Sequence, residues 1–235
     1  MQVFEGAQTR QEYVETQVAR SVGKFKFCKV SMHDVIKYQR IIRDQQVSRG
    51  RRSPLGPILC LGTRNGREVD LFRAQCFGPI LQRHAVRVLE QCGSNMFRSR
   101  WPAVEAIGRS RLERITPESV VGVELNPLGA RCDVLTGSFD ELPAAWERTF
   151  GIVYSNSFDH SQDPHRSLRE WKRVIRPGGY LILCYVWNQQ VTATDPVGRL
   201  DAEDVLPLLR GELIYFREGG SRNTYSEVIV QFNEA

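Results

Sequence analysis

The stretch from Pro57 to Val69, Pro-Ile-Leu-Cys-Leu-Gly-Thr-Arg-Asn-Gly-Arg-Glu-Val, most constrains what this chain can fold into. A short apolar run breaks into a loop holding Gly62 and Gly66, and a helical pattern resumes after it, so the segment reads as strand, turn and helix. A turn of this kind at the carboxyl end of a first strand is how an open α/β sheet makes a ligand site. Glycine suits the turn because a ligand approaches the backbone closely only where no Cβ stands in the way.

The rest of the chain repeats that alternation. Val120 to Glu124 is a short apolar strand ending in a carboxylate, and Leu125-Asn126-Pro127 stops it. Arg131 to Thr136 is a further short strand, Gly137 to Pro143 a loop, and Phe150 to Asn156 a strand running into polar residues. Asp163 caps a helix with Pro164 at its first position and Leu168, Trp171 and Ile175 on one face. Pro177-Gly178-Gly179 is expected to end that helix and lead into a strand from Tyr180 to Val186. A helix from Asp201 to Arg210 precedes two last strands, Glu212 to Phe216 and Tyr225 to Phe232, which read as an antiparallel hairpin. The expected fold is therefore α/β: a Rossmann-like, doubly wound, mostly parallel seven-stranded sheet closed by a C-terminal antiparallel hairpin.

Two additions flank this pattern. Residues 1–53 are expected to form an N-terminal helical cap at one edge of the core. Val14, Val18, Val22 and Phe25 form one apolar set at helical spacing, and Val35, Ile36, Tyr38, Ile41 and Ile42 form a second. Arg49-Gly50-Arg51-Arg52 with Ser53-Pro54 reads as a solvated linker, a phosphate contact or import signal being the alternative. The α/β domain then spans 54–235, with an insertion at about 75–117 that is longer than one βα unit needs. It contains a short helix around Ala85 to Cys92 and arginines at 98, 100, 109, 111 and 114, read as a solvated surface or the lining of a substrate mouth.

Composition narrows the classes. With 235 residues and 41% hydrophobic content, the chain can build one substantial core. No run approaches the roughly 18 uninterrupted apolar residues a membrane span requires, and no apolar signal core begins the chain, so the expected location is cytoplasmic. The six cysteines are dispersed without a C-x-x-C pair, which speaks against a disulfide framework or a zinc site. The net charge of +5 leaves a nucleic acid or phosphorylated partner open without favouring it.

Taken in order, these motifs resemble the class I S-adenosylmethionine-dependent methyltransferases, specifically the group called methyltransferase type 11. The resemblance covers about residues 57–187 with 75–117 unmatched. Leu59-Cys60-Leu61-Gly62-Thr63-Arg64-Asn65-Gly66 is similar to the family's first motif, and Gly122-Val123-Glu124 to its strand-end acid. Gly137 to Pro143 resembles the loop bordering the adenine. Phe150 to Asn156 and Arg173-Val174-Ile175-Arg176-Pro177-Gly178-Gly179 resemble the fourth strand and the turn that follows its helix.

The resemblance implies S-adenosyl-L-methionine as cofactor. It places Gly62, Thr63, Arg64 and Gly66 at the methionyl part, Glu124 on the ribose hydroxyls and Leu125 on the adenine face. Ser138 and Phe139 would border the adenine, and Ser155 and Asn156 would reach the amino-acid end. Three positions depart from the family pattern: Cys60 stands for the usual acid, Arg64 for the middle glycine and Ser138 for an aspartate. The cofactor's ammonium thereby loses an expected anionic neighbour, and Arg64 is placed either to grip its carboxylate instead or simply to point to solvent.

Methyl transfer needs donor and acceptor held in near-attack geometry, and a base only where the acceptor must lose a proton. His160 is the expected base, since a histidine titrates near neutral pH, with Asp159 as the alternative. Asp159, His160, Asp163 and His165 can also be counted as metal ligands, but Asp163 is better explained as a helix cap, and no metal is expected. The strand Tyr154-Ser155-Asn156-Ser157 lacks the Asn-Pro-Pro-Tyr type of motif, which points to a small-molecule acceptor, sugar-like, lipid-like or another metabolite. The alternatives are an RNA-directed enzyme and a methyltransferase-like binding or scaffold protein without turnover.

Overall fold

The computed structural model describes residues 1, 3, 4, 6, 9–25, 28–76, 115–200, 202–220 and 225–233. The helix expected at Ala85 to Cys92 and the arginines from 98 to 114 lie outside the described residues. Seven strands form one sheet: β1 (Ile58–Leu61), β2 (Val120–Glu124), β3 (Val134–Thr136), β4 (Phe150–Ser155), β5 (Ile175–Val186), β6 (Glu212–Arg217) and β7 (Tyr225–Gln231). Their order is β3-β2-β1-β4-β5-β7-β6. The pairings from β3 through β5 are parallel, and β7 runs antiparallel to both β5 and β6. The mostly parallel sheet with a closing hairpin is thus present. The chain leaves β1 toward β2 and β3, then returns to β4 on the other side of β1. The carboxyl ends of β1 and β4 therefore flank a topological switch point, where open α/β sheets bind ligands.

Side chains alternate across the pleat and split the core into two layers. Leu59, Leu61, Val153, Leu181 and Leu183 face α4 (Pro164–Val174) and α5 (Ala202–Leu209), with Trp171 wholly buried among them. Ile58, Cys60, Ile152, Tyr154, Tyr180 and Ile182 face α2 (Met32–Ser48) and α3 (Arg67–Cys76). The α4 start is as expected: the Asp163 carboxylate accepts from the Arg166 N–H at 2.9 Å, and Pro164 occupies the first position. Its end comes earlier than the Pro-Gly-Gly signal suggests. Ile175 already pairs with Phe150 in the sheet, and Arg176–Gly179 is accommodated as an irregularity before Tyr180 pairs with Ile152. Among the described residues no helix is long and apolar enough to cross a membrane.

The two N-terminal helices do different work. Both α1 (Arg10–Gly23) and α2 start with a capping box, Thr9 with Glu12 and Ser31 with Asp34, so each satisfies its own first N–H groups. Val35, Tyr38 and Ile42 of α2 are buried against the sheet, so α2 is a full layer of the core rather than a cap at its edge. On α1 the Val14, Val18 and Val22 stripe is not a buried face: Val14 and Val18 are half-buried and Val22 is 52% exposed. The inward face is Arg10, Tyr13, Gln17, Arg20 and Ser21, because α1 lies over a polar crevice and its partners there are carboxylates, carbonyls and an amide.

Candidate active site

The crevice above the carboxyl ends of β1, β2 and β4 is lined by Gly62, Arg64, Glu124, Leu125, Ser138, Phe139, Asp140, Ser157 and His160, and roofed by Tyr13, Gln17, Arg20 and Ser21 of α1. Seven of the twelve residues singled out from the sequence therefore meet there: Gly62, Arg64, Glu124, Leu125, Ser138, Phe139 and His160. Thr63, Gly66, Ser155, Asn156 and Asp159 do not line it.

Glu124 closes β2 and is the organising group. One carboxylate oxygen accepts from the Arg64 N–H at 2.6 Å and the other from the Asn126 N–H at 3.0 Å, which ties the loops after β1 and β2 together. Burial raises its pKa above the usual carboxylate value, and the two N–H groups, Arg64 and His160 oppose that rise. A carboxylate accepts about four hydrogen bonds, so two sites are left for a ligand.

The β1 loop departs from its expected roles in physical terms. Arg64 adopts φ 51°, the left-handed conformation a glycine would take more readily, while its guanidinium donates to the Lys24 carbonyl at 3.4 Å. A Cβ on Gly62 would stand 2.4 Å from the Ser157 hydroxyl oxygen, so the space is taken by the loop after β4. Gly66, at φ +75°, makes room for Arg131 rather than for a ligand: a Cβ there would stand 2.8 Å from the guanidinium. Arg131 in turn holds Asp70 with two bonds of 2.7 and 2.6 Å and Asp133 at 3.0 Å. Thr63 lies against Gly122, and Cys60 is buried in the α2–α3 layer. Ser155 is wholly buried and accepts from the Ser157 N–H at 3.2 Å.

At the adenine-like end, Arg10 donates to the Ser138 hydroxyl at 2.7 Å and pairs with the buried Asp140 at 2.9 Å. The acid that position 138 lacks thus stands two residues on. Phe139 presents its ring edge-on to Trp171, with centroids 5.5 Å apart, and its carbonyl accepts from the indole N–H at 3.1 Å.

His160 ends a short 3-10 turn, Phe158–His160, after β4. Its Nδ1 is 3.1 Å from Asp195 Oδ1 and 3.2 Å from the Thr194 carbonyl, while Nε2 is 3.9 Å from Asp159 Oδ1. Tyr13 donates its hydroxyl to the His160 carbonyl, and Arg20 pairs with Asp195 at 2.5 Å. Burial would depress the His160 pKa, but Asp159 and the bond to Asp195 outweigh it and raise it. Asp195 is held well below the usual carboxylate range, burial being overcome by its bonds to His160 and Arg20. Burial pushes Asp159 up. Asp159, His160 and Asp195 bring ligand atoms within 4.8 Å of one another, but Arg20 already supplies a cation to this group. Of the other residues counted as metal ligands, Asp163 caps α4.

The sequence reading missed Asp195, Ser157, Asp140 and the α1 residues. Only Asp140 carried a signal, as the acid inside the loop from Gly137 to Pro143. Asp195 lies 35 residues past His160 in a segment without regular structure, where spacing carries no information.

Sheet order, switch-point crevice and strand-end acid together define a class I methyltransferase fold. Residues 109–183 match the family model of a methyltransferase domain. No curated protein matches the chain in sequence. Among solved structures, the Burkholderia thailandensis 1,6-didemethyltoxoflavin-N1-methyltransferase, with bound 1,6-didemethyltoxoflavin and S-adenosylhomocysteine, is 13% identical with a TM-score of 0.50, covering 99% of this chain and 94% of that one. The [4+2]-cyclase SpnF is 13% identical with a TM-score of 0.55, covering 100% of both chains. The chain accordingly shares its fold with these structures, and residues 109–183 of it match a methyltransferase domain.

Proposed function

We propose that this chain binds S-adenosyl-L-methionine in the crevice and transfers its methyl group to a small-molecule acceptor. The observation that carries this is the Glu124 carboxylate, fixed by two backbone N–H groups in the crevice with acceptor capacity to spare. Glu124 would hold the ribose hydroxyls and Leu125 and Phe139 would border the adenine. When bound, the cofactor supplies a methyl carbon already activated by its sulfonium. What remains for the protein is to position the acceptor and, where needed, to take its proton. His160 suits the proton-accepting role, because with Nδ1–H donated toward Asp195 and the Thr194 carbonyl, Nε2 carries the lone pair. The roof formed by α1 supports an acceptor of modest size with polar groups to meet Gln17 and Arg20.

Calorimetric titration of S-adenosylhomocysteine tests the cofactor site. Wild type is expected to bind below millimolar concentration and Glu124→Ala about a hundredfold more weakly, as for loss of two hydrogen bonds to a charged group. Equal binding by the variant moves the site elsewhere.

A second reading, cofactor-binding fold without methyl transfer, is favoured by the engagement of Ser138 and Asp140 by Arg10 and by the cyclase that shares the fold. Binding of S-adenosylhomocysteine without methylation of any component of a metabolite extract would support it. An RNA acceptor instead requires affinity for RNA that falls steeply with salt.

A further inference from the structure

Six acids are buried among the described residues: Glu68, Asp70, Glu124, Asp140, Asp195 and Glu227. Five have strong partners. Asp70 meets Arg131, Asp140 meets Arg10, Asp195 meets Arg20, Glu227 meets Lys37 and Arg217, and Glu124 takes two backbone N–H groups. Glu68 is the exception, only 3% exposed and with its Oε2 bonded to nothing; the Oδ1 of the less deeply buried Asp159 also lacks a hydrogen bond, but His160 stands 3.9 Å from it. A buried carboxylate without an ion-paired partner is costly and shifts toward its neutral form.

Its place in the fold is informative. Glu68 lies in the first turn of α3, two residues past Gly66, at the carboxyl end of β1. Beside its carboxyl group stand the Asn156 amide from the end of β4 and the Cys28 thiol from the segment between α1 and α2, with the Arg64 guanidinium within electrostatic reach. Glu68 does not itself line the crevice, but two of its neighbours, Arg64 and Asn156, follow β1 and β4 at the switch point, where the resemblance puts the methionyl end of the cofactor. Cys60, which stands where the family has its acid, is an uncharged core residue here.

We propose that Glu68 is the carboxylate that receives the ammonium group of the cofactor's methionyl end, in place of the acid absent at position 60. The proposal rests on the S-adenosylmethionine reading above. Burial pushes the Glu68 pKa up to about 7, and its own backbone N–H, Cys28, Arg64 and Asn156 only moderate the rise. The other titratable groups facing it, Cys28 and Tyr154, are driven upward by burial, away from neutrality. Glu68 is thus partly protonated near neutral pH in the free protein. An ammonium arriving beside it favours the carboxylate, so binding expels a proton.

The experiment is calorimetry of S-adenosylhomocysteine binding to the full chain in buffers of different ionisation enthalpy, from pH 6 to pH 8. Wild type is expected to release up to about one proton per ligand at pH 6 and almost none at pH 8, with affinity rising about tenfold between them. Glu68→Gln should lose that release and bind about tenfold more weakly at pH 8. Any proton exchange arising at His160 persists in the variant, so the difference isolates Glu68. 5′-Methylthioadenosine, which lacks the amino-acid end, should bind both proteins alike, and doing so also shows that the variant is folded. Binding of S-adenosylhomocysteine by wild type without proton release overturns the role of Glu68 and leaves the cofactor reading standing. So does an equal loss of both ligands by the variant. Failure of wild type to bind either ligand overturns the cofactor reading and this proposal with it.

Discussion

Helices α1 and α2 follow one another, each start with a capping box and carry apolar residues at helical spacing, yet they meet the molecule through opposite chemistry. In α2 the apolar stripe of Val35, Tyr38 and Ile42 is buried in the sheet's core layer. In α1 the valines are half-buried or exposed, and Arg10, Tyr13, Gln17 and Arg20 reach down to Asp140, the His160 carbonyl, the Thr194 carbonyl and Asp195. An apolar stripe fixes which side of a helix can be buried; what lies beneath decides whether it is. Stability is therefore concentrated in α2 and site geometry in α1.

That division can be broken by mutation. The largest effect is expected from Ile42→Ala, which empties a wholly buried position in α2 and should cost about 2–5 kcal/mol in urea denaturation. A cost near zero would show that α2 is not a structural layer. A pH series sharpens the α1 side. The His160 pKa is raised by folding, so its contribution to stability is fully present below its ordinary value of about 6.5 and is lost as pH rises through the folded value. Wild type should therefore lose stability relative to His160→Gln on going from pH 6 to pH 8, and parallel curves would mean the Asp195 contact does not bias the histidine. Asp195 acts in the opposite sense: its pKa is depressed, so its contribution is present above about pH 3.9 and is lost on acidification through the folded value. Smallest is Arg20→Ala, which takes one partner from the buried Asp195 at the crevice roof; His160 remains beside that carboxylate, so the cost should be about 1–3 kcal/mol. If it destabilises as much as Ile42→Ala, α1 is part of the core after all.

The contrast also marks how far the sequence could be read. Strands β1, β2 and β4 were legible as apolar runs, the first broken by the Gly62 turn and the other two closed by a polar residue, and Glu124 was legible as the acid closing the second. The cap at Asp163 was legible because Asp-Pro is a local signal, complete within one turn. The inward face of α1 was not, since helical periodicity ranks faces by hydrophobicity and this face is polar. Nor was the contact of Asp195 with His160, which depends on how a segment without regular structure returns over the sheet after β5. Glu68 shows the intermediate case. Its spacing from Gly66 was visible, but the lack of a hydrogen-bond partner for its buried Oε2 became visible only once burial and neighbours were known.

The guanidinium seated where Gly66 lacks a Cβ has a consequence for how the glycine loop is probed. Arg131 links that loop to Asp70 of α3 and to Asp133 ahead of β3, so a side chain at position 66 would push against this ion-pair group and against Val134. A Gly66→Ala variant would then lose ligand affinity because the loop had shifted, although residue 66 touches no part of the crevice. The second glycine of the loop thus behaves as a keystone of the scaffold, and its replacement would mimic a binding defect while reporting a misplaced wall.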